Sequence, residues 1–187
     1  GLASKACAEY NQPQADAAFI SGETAMAFMG PWNIADIVHD NPGLPYSVVE
    51  PPAGPYGRAA FSGGSNLAIR NNASKAEIEA AKEWVKFLVS DDVLADYTKN
   101  LTNMIPANKY ALDDPYYNTE IWQTFIKTLG YATAYPPIPE WGKIESIIQT
   151  NFGNVLTDYV DGTFSNVTSK GYLDAAAAEV NAVLQGN

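Results

Sequence analysis

The 187-residue sequence holds one cysteine and one histidine. A single thiol, Cys7, cannot close an internal disulfide, and with His39 standing alone no His/Cys set has the spacing of a zinc site. Cys7 reads as a partly buried thiol in an N-terminal helix. His39 sits at a helix end before a Pro/Gly turn, where a cation complements the helix dipole. Cations are scarce too: 11 Lys and Arg stand against 21 Asp and Glu, for a formal charge of −10. No basic cluster forms, which argues against nucleic acid or anionic membrane as a partner. The acidity serves solubility. No run of 18 apolar residues is present, the length a membrane-crossing helix needs. Residues 1–10 read as later turns of a helix, with no signal-peptide pattern. The expectation is therefore a fragment or isolated domain of a longer protein.

Catalytic vocabulary is equally thin. The Gly-x-Ser-x-Gly elbow of serine hydrolases is missing. Gly63-Gly64-Ser65 lacks the Gly-Lys-Ser/Thr that completes a phosphate loop. Asp91-Asp92 and Asp113-Asp114 lie at a helix start and before a proline, so capping is their expected role rather than metal binding. Glu140 beside Trp141 could pass for a glycosidase acid, but no second carboxylate pairs with it. The Asn-x-Ser/Thr sites at Asn72, Asn100 and Asn166 read as chance matches.

What is present is a foldable core and many aromatics, with 47% hydrophobic and 12% aromatic residues. That length allows one large domain or two small ones. The pattern predicts a helix over 1–11 closed by Pro13, a short helix over 16–21, a buried strand over 24–29 and a helix over 32–39. Short strands are expected at 46–50, 59–61 and 66–70. Ser74 and Glu77 form a capping box ahead of a helix with Ile78, Ala81, Val85 and Leu88 on one face. A shorter helix follows from Ser90 to about Lys99, broken at 104–107. Residues 118–129 are amphipathic, and 131–139 form a rigid connector with three prolines. The longest helix is expected over 141–160, packed through Ile144, Ile148, Phe152, Val155 and Tyr159, with Asp161-Gly162 as its end. A polar loop over 163–171 leads to a last helix over 172–185, with Leu173, Ala177, Val180 and Leu184 on one side. Strands alternating with helices argue for an α/β class, helix-rich with few short strands.

Aromatics cluster beside Pro/Gly turns: Trp32, Tyr56, Tyr131, Tyr135 and Trp141 all sit at element ends. Flat rings mixed with a few polar groups make a ligand-binding vocabulary. Trp84, Trp122 and Phe125, in mid-helix, read instead as core or interface.

Residues 16–32, Asp-Ala-Ala-Phe-Ile-Ser-Gly-Glu-Thr-Ala-Met-Ala-Phe-Met-Gly-Pro-Trp, closely resemble the F-x-x-G-x-x-A-M-x-x-x-G-P-W signature of the maltose-binding-protein-like family. These are the extracellular solute-binding proteins of bacterial sugar ABC transporters. Phe61 to Ile69 resembles the family's GG-S strand, and Ser74 to Leu88 with Ser90-Asp91 its S-K helix. Met104 to Ala107 is similar to the turn after that helix, and Pro137-Ile138-Pro139-Glu140-Trp141 to its late ligand segment. Ala175 to Leu184 is loosely similar to its closing helix. The motifs occur in the family's order over most of the chain. The loop 163–171 is longer than usual, and the family's first half is missing.

The resemblance implies a non-enzymatic sugar-binding component with a type II periplasmic-binding-protein-like fold, present as its C-terminal half. Residues 1–62 would open the C-terminal lobe, 63–113 would cross to a helical part of the N-terminal lobe, and 114–187 would return. Two such lobes close on solute like a hinged clamp. By the same likeness Trp32 and Trp141 would stack on sugar, and Gly63, Gly64 and Ser65 would bring backbone to the solute at the lobe crossing. Glu145, one turn past Trp141, would add a polar contact. No cofactor is implied. The partners would be a sugar or oligosaccharide and the membrane permease subunits, outside the cytoplasmic membrane as a lipoprotein or in the periplasm. A carbohydrate-active enzyme domain and a non-sugar interaction domain are the alternatives.

Overall fold

The computed structural model describes residues 4–186. Its backbone contacts divide the chain into two compact units. One joins the chain up to Ala27 with the chain from Tyr135 onward, and the other is Phe28–Ala134.

In the first unit a 3₁₀ turn, Lys5–Ala8, precedes helix α1, Gln12–Ile20. Pro13 does not close a helix; it lies in the first turn of α1, where its missing N–H costs nothing. Asn11 caps that turn, accepting from the Gln14 N–H at 3.0 Å while the Gln14 side chain accepts from the Asn11 N–H at 2.9 Å. Cys7 is exposed, not partly buried. Gly22, at φ +80°, supplies the left-handed turn after α1.

The longest helix, α6 (Trp141–Asp161), ends at Gly162 with φ +76°, as the Asp-Gly pair predicts. The expected polar loop over 163–171 is largely helix: α7 runs Asn166–Leu184. Ser165 caps it, accepting from the Thr168 N–H at 3.1 Å, while the Thr168 hydroxyl accepts from the Ser165 N–H at 3.3 Å. The short connection folds α7 back onto α6. Ile144 and Asn151 of α6 and Ala176 and Val183 of α7 are buried. The predicted faces are thus corrected: Phe152 is 55% exposed, and Leu173 and Leu184 also face solvent. Of the stripe read from sequence Ile144 is buried and Val155 and Tyr159 are half-buried, while Ile148 and Phe152 are exposed; the buried Asn151 lies outside that stripe. The 3₁₀ turn packs on α6, and Lys5 Nζ donates to the Val160 carbonyl at 2.5 Å, placing a cation at a helix C-terminus.

The second unit begins with α2, Asn33–Asp40, followed by a Pro/Gly turn. Strand β1, Ala60–Phe61, pairs in parallel with β2, Ala132–Thr133, in the register Ala60↔Ala132 and Phe61↔Thr133. The Ser62 N–H extends the ladder to the Thr133 carbonyl at 3.1 Å. Between them lie α3 (Lys75–Leu88), α4 (Asp91–Asp96), a π-helical turn (Tyr97–Thr102) and α5 (Glu120–Leu129).

The strands expected at 24–29, 46–50 and 66–70 are absent among the described residues, and β2 was hidden in the proline-rich connector. Among the described residues these stretches have no ladder partners. Thr24 donates its N–H to Ala18 O at 3.0 Å and its hydroxyl to Met26 O at 3.2 Å. Met26 and Phe28 are therefore 86% and 85% exposed, not buried. The described residues are helix-rich with two short parallel strands.

The capping box of α3 is present: the Glu77 carboxylate accepts from the Ser74 N–H at 2.8 Å, and Ser74 Oγ from the Glu77 N–H at 3.3 Å. Ile78, Ala81, Val85 and Leu88 are half-buried on one face. Trp84, expected in the core or an interface, is exposed and stacked on Phe87 with centroids 5.4 Å apart. The core of this unit is aromatic. Trp122 packs edge-on against Tyr117 at 5.1 Å and near Tyr116 at 5.4 Å. Tyr117 is buried, its hydroxyl 3.2 Å from Thr98 Oγ1.

Candidate functional site

The sequence-nominated residues fall in both units. Trp141 and Glu145 belong to the unit of α6; Trp32, Gly63, Gly64 and Ser65 belong to that of α2 and β1.

Gly30-Pro31 leads directly into α2, and Trp32 stands at its N-cap position without a side-chain cap bond. Instead Asn33, buried, accepts from the Gly30 N–H at 3.2 Å through Oδ1. Trp32 folds its indole back onto the bare α-carbon of Gly30, where a β-carbon would come within 2.1 Å of two ring atoms. The ring stays 43% exposed. A flat apolar surface is thus braced from beneath and partly open to solvent.

Gly63, Gly64 and Ser65 follow β1 in an exposed, irregular stretch. At Gly63 a β-carbon would meet the Phe61 ring at 2.3 Å, so this glycine keeps space for that ring; Gly64 has open space around it.

Trp141 opens α6 and is half-buried. The Tyr135 ring lies over it, with centroids 4.9 Å apart and planes inclined by 30°. Glu145, half-buried, sits one helical turn further on, the spacing at which side chains share a face. Sequence reading placed Tyr135 among the aromatics at element ends but not among the ligand contacts. Its link to Trp141 spans six positions through Pro136, Pro137 and Pro139, so no helical or strand period points to it.

Other polar features hold the second unit together. Glu50 accepts from Lys127 at 2.5 Å and lies 3.7 Å from Arg58. The bond from Lys127 holds the Glu50 carboxyl below the usual carboxylate range, helped by Arg58 and Tyr131. Arg58 also donates to the Pro51 carbonyl, closing the 51–58 loop with Tyr56 fully exposed. Asp114 caps the turn Pro115–Asn118, accepting from the Tyr116 N–H at 2.8 Å, and pairs with Lys99 at 3.0 Å. Those bonds lower its pKa, the backbone bond most. His39 is raised by its hydrogen bond to Asp40. A half-open cleft of about 290 Å³ lies among Tyr46, Ser47, Val48, Thr119, Glu120 and Ile121, none of them nominated from sequence. Among the described residues no group of three His, Cys, Asp or Glu side chains could hold a metal, and no helix is long and apolar enough to cross a membrane.

Residues 3–135 match the family model for bacterial extracellular solute-binding proteins. A protein of Brucella abortus (strain 2308), provisionally named a binding protein, is 29% identical over 190 residues, covering 99% of this chain and 43% of the relative. A Brucella suis (biovar 1, strain 1330) protein with the same provisional description shows the same identity and coverage. The diacetylchitobiose binding protein DasA of Streptomyces coelicolor is 28% identical over 138 residues, covering 72% of this chain and 32% of the relative. The chain thus spans less than half the length of the curated relatives it matches. It belongs to the bacterial extracellular solute-binding protein family.

Proposed function

We propose that this protein captures a sugar or oligosaccharide for an ABC importer, as its non-enzymatic binding component. Family membership supports solute binding, and the diacetylchitobiose relative supports a sugar. The observation that carries the reading is the Trp32 indole, seated on Gly30 and open on part of its surface. The apolar C–H face of a pyranose lies flat on such a ring, and its hydroxyls are left for polar groups at the rim.

In this reading Trp32 and Trp141 stack on sugar, and Glu145 accepts from a hydroxyl. The exposed backbone of Gly63, Gly64 and Ser65 approaches the solute where the chain crosses between lobes. Residues 1–62 and 114–187 belong to the C-terminal lobe of a type II periplasmic-binding-protein-like fold, and 63–113 to the other lobe. The loaded protein delivers solute to membrane permease subunits from outside the cytoplasmic membrane, as a lipoprotein or in the periplasm.

A thermal-shift screen against oligosaccharides tests this, because a ligand that binds the folded state raises its melting temperature. N,N′-diacetylchitobiose, maltose and cellobiose form the first panel, followed by calorimetric titration and an assay for released reducing sugar. Saturable binding without turnover is expected. Turnover would make it an enzyme domain, and no response to any sugar would overturn the reading.

A further inference from the structure

Asn33 breaks the pattern of α2. It stands one turn before Ile37 on the face that turns inward, where an apolar side chain is the usual occupant. Yet it is only 2% exposed, and a buried amide is costly unless its polar atoms are paired. Its bonds run to Gly30. The Gly30 N–H donates to Asn33 Oδ1 at 3.2 Å, and the Asn33 N–H donates to the Gly30 carbonyl at 3.1 Å. The amide nitrogen lies 3.5 Å from Asp36 Oδ2, which fixes the end of the carboxamide that faces Gly30. Asn33 thus holds both polar groups of Gly30. The residues enclosed between them are Pro31, with its fixed φ, and Trp32. Gly30 is also the residue on which the Trp32 indole rests.

We propose that Asn33 is a positioning residue for solute binding: it locks the turn from Gly30 to Asn33, so that the Trp32 ring is seated before solute arrives. The inference rests on the sugar reading above. Asn33 is buried and acts through Trp32, not on the solute itself. A ring free to swing must be ordered when the sugar binds, and that ordering is taken out of the affinity. A ring already held on Gly30 avoids the loss. Without Asn33 Oδ1 the N–H of the buried Gly30 loses its acceptor, and an unpaired buried donor is expensive enough to open the turn. The seat under the indole would then shift, although every group that touches sugar is still present.

The test is a double-mutant cycle read by calorimetric titration with N,N′-diacetylchitobiose, maltose and cellobiose. Asn33→Leu keeps the bulk and removes the acceptor. It is expected to weaken binding about tenfold in the wild-type background. In the Trp32→Ala background the same change should move affinity by less than about twofold, because no ring is left to position. Exchanging the pair, Asn33→Asp with Asp36→Asn, keeps an acceptor for Gly30 and should stay within about threefold of wild type. A further measurement needs no variant. In sugar-free wild type the Gly30 amide should exchange far more slowly than that of the exposed Gly64, as followed by NMR. Four results overturn the role of Asn33 while the sugar reading stands: equal exchange at the two glycines, wild-type-like affinity in Asn33→Leu, the same loss in both backgrounds, or an exchanged pair no better than Asn33→Leu. A wild type that binds none of the sugars overturns the sugar reading and this inference with it.

Discussion

The indole of Trp32 rests on the α-carbon of Gly30, so closely that a β-carbon there would fall 2.1 Å from two of the ring atoms. Gly30 is buried and does not use the left-handed region; its role is to be small. Gly30→Ala must push the ring off its seat. The cost expected is about 1–3 kcal/mol, the range for overpacking a tight site. Chemical denaturation measures it, and near-ultraviolet circular dichroism should report the displaced indole. An alanine variant with unchanged stability and spectrum would mean the ring moves away freely.

Trp32→Ala leaves the seat but removes the ring. Because Trp32 is partly exposed, its stability cost should stay below the ~3–5 kcal/mol of a buried aromatic truncation. Sugar affinity should fall by roughly 1–3 kcal/mol, a loss of hot-spot size. Unchanged affinity in a calorimetric titration would remove Trp32 from the site.

Features encoded by neighbouring residues were legible in the sequence. Ser74 and Glu77 are three apart and cap α3; Asp161-Gly162 ends α6; Gly30-Pro31-Trp32 opens α2. Features that need a distant partner were not. The apolar run at 24–29 has strand composition, but a strand exists only beside another, and the parallel partner of β1 lies 72 positions on in a proline-rich segment. The start of α7 is rich in Ser, Thr and Asn and so read as loop, although Ser165 and Thr168 form a capping pair. At the site, Trp32 was legible as a ring beside a turn. The cover Tyr135 places on Trp141 was not, because it depends on the path of the proline bridge.

Capping at α3 can be tested by itself. Ser74→Ala removes the acceptor for the Glu77 N–H and should cost about 1 kcal/mol. Ser74→Asp restores an acceptor and favours the positive end of the helix dipole, so it should recover most of that loss. Equal midpoints for the alanine and aspartate variants in urea would show that the cap contributes nothing.

The two faces of α6 make a contrast. Ile144 is buried, and Ile144→Ala should cost about 2–5 kcal/mol. Phe152 lies on the open side of the same helix, and Phe152→Ala should cost well under about 3 kcal/mol, less than a core phenylalanine. Paired denaturation curves decide. A larger loss at Phe152 than at Ile144 would reverse the face of the helix.

Glu50 links the 51–58 loop to α5 through Lys127 and Arg58. Lys127 depresses its pKa most, with Arg58 and Tyr131 adding to the effect. A carboxyl whose folded pKa lies below its unfolded value of about 4.3 stabilises the fold at pH above that value. The contribution is lost as pH falls through the lower, folded pKa. Glu50→Gln should therefore be less stable than wild type at pH 7, and the two stability curves should converge below about pH 4. Raising salt should narrow the gap at pH 7, since Lys127 is largely exposed and its charge is screened. Curves that stay parallel from neutral pH into acid would show that the variant acts through packing and that the Glu50 ion pairs do not stabilise the fold.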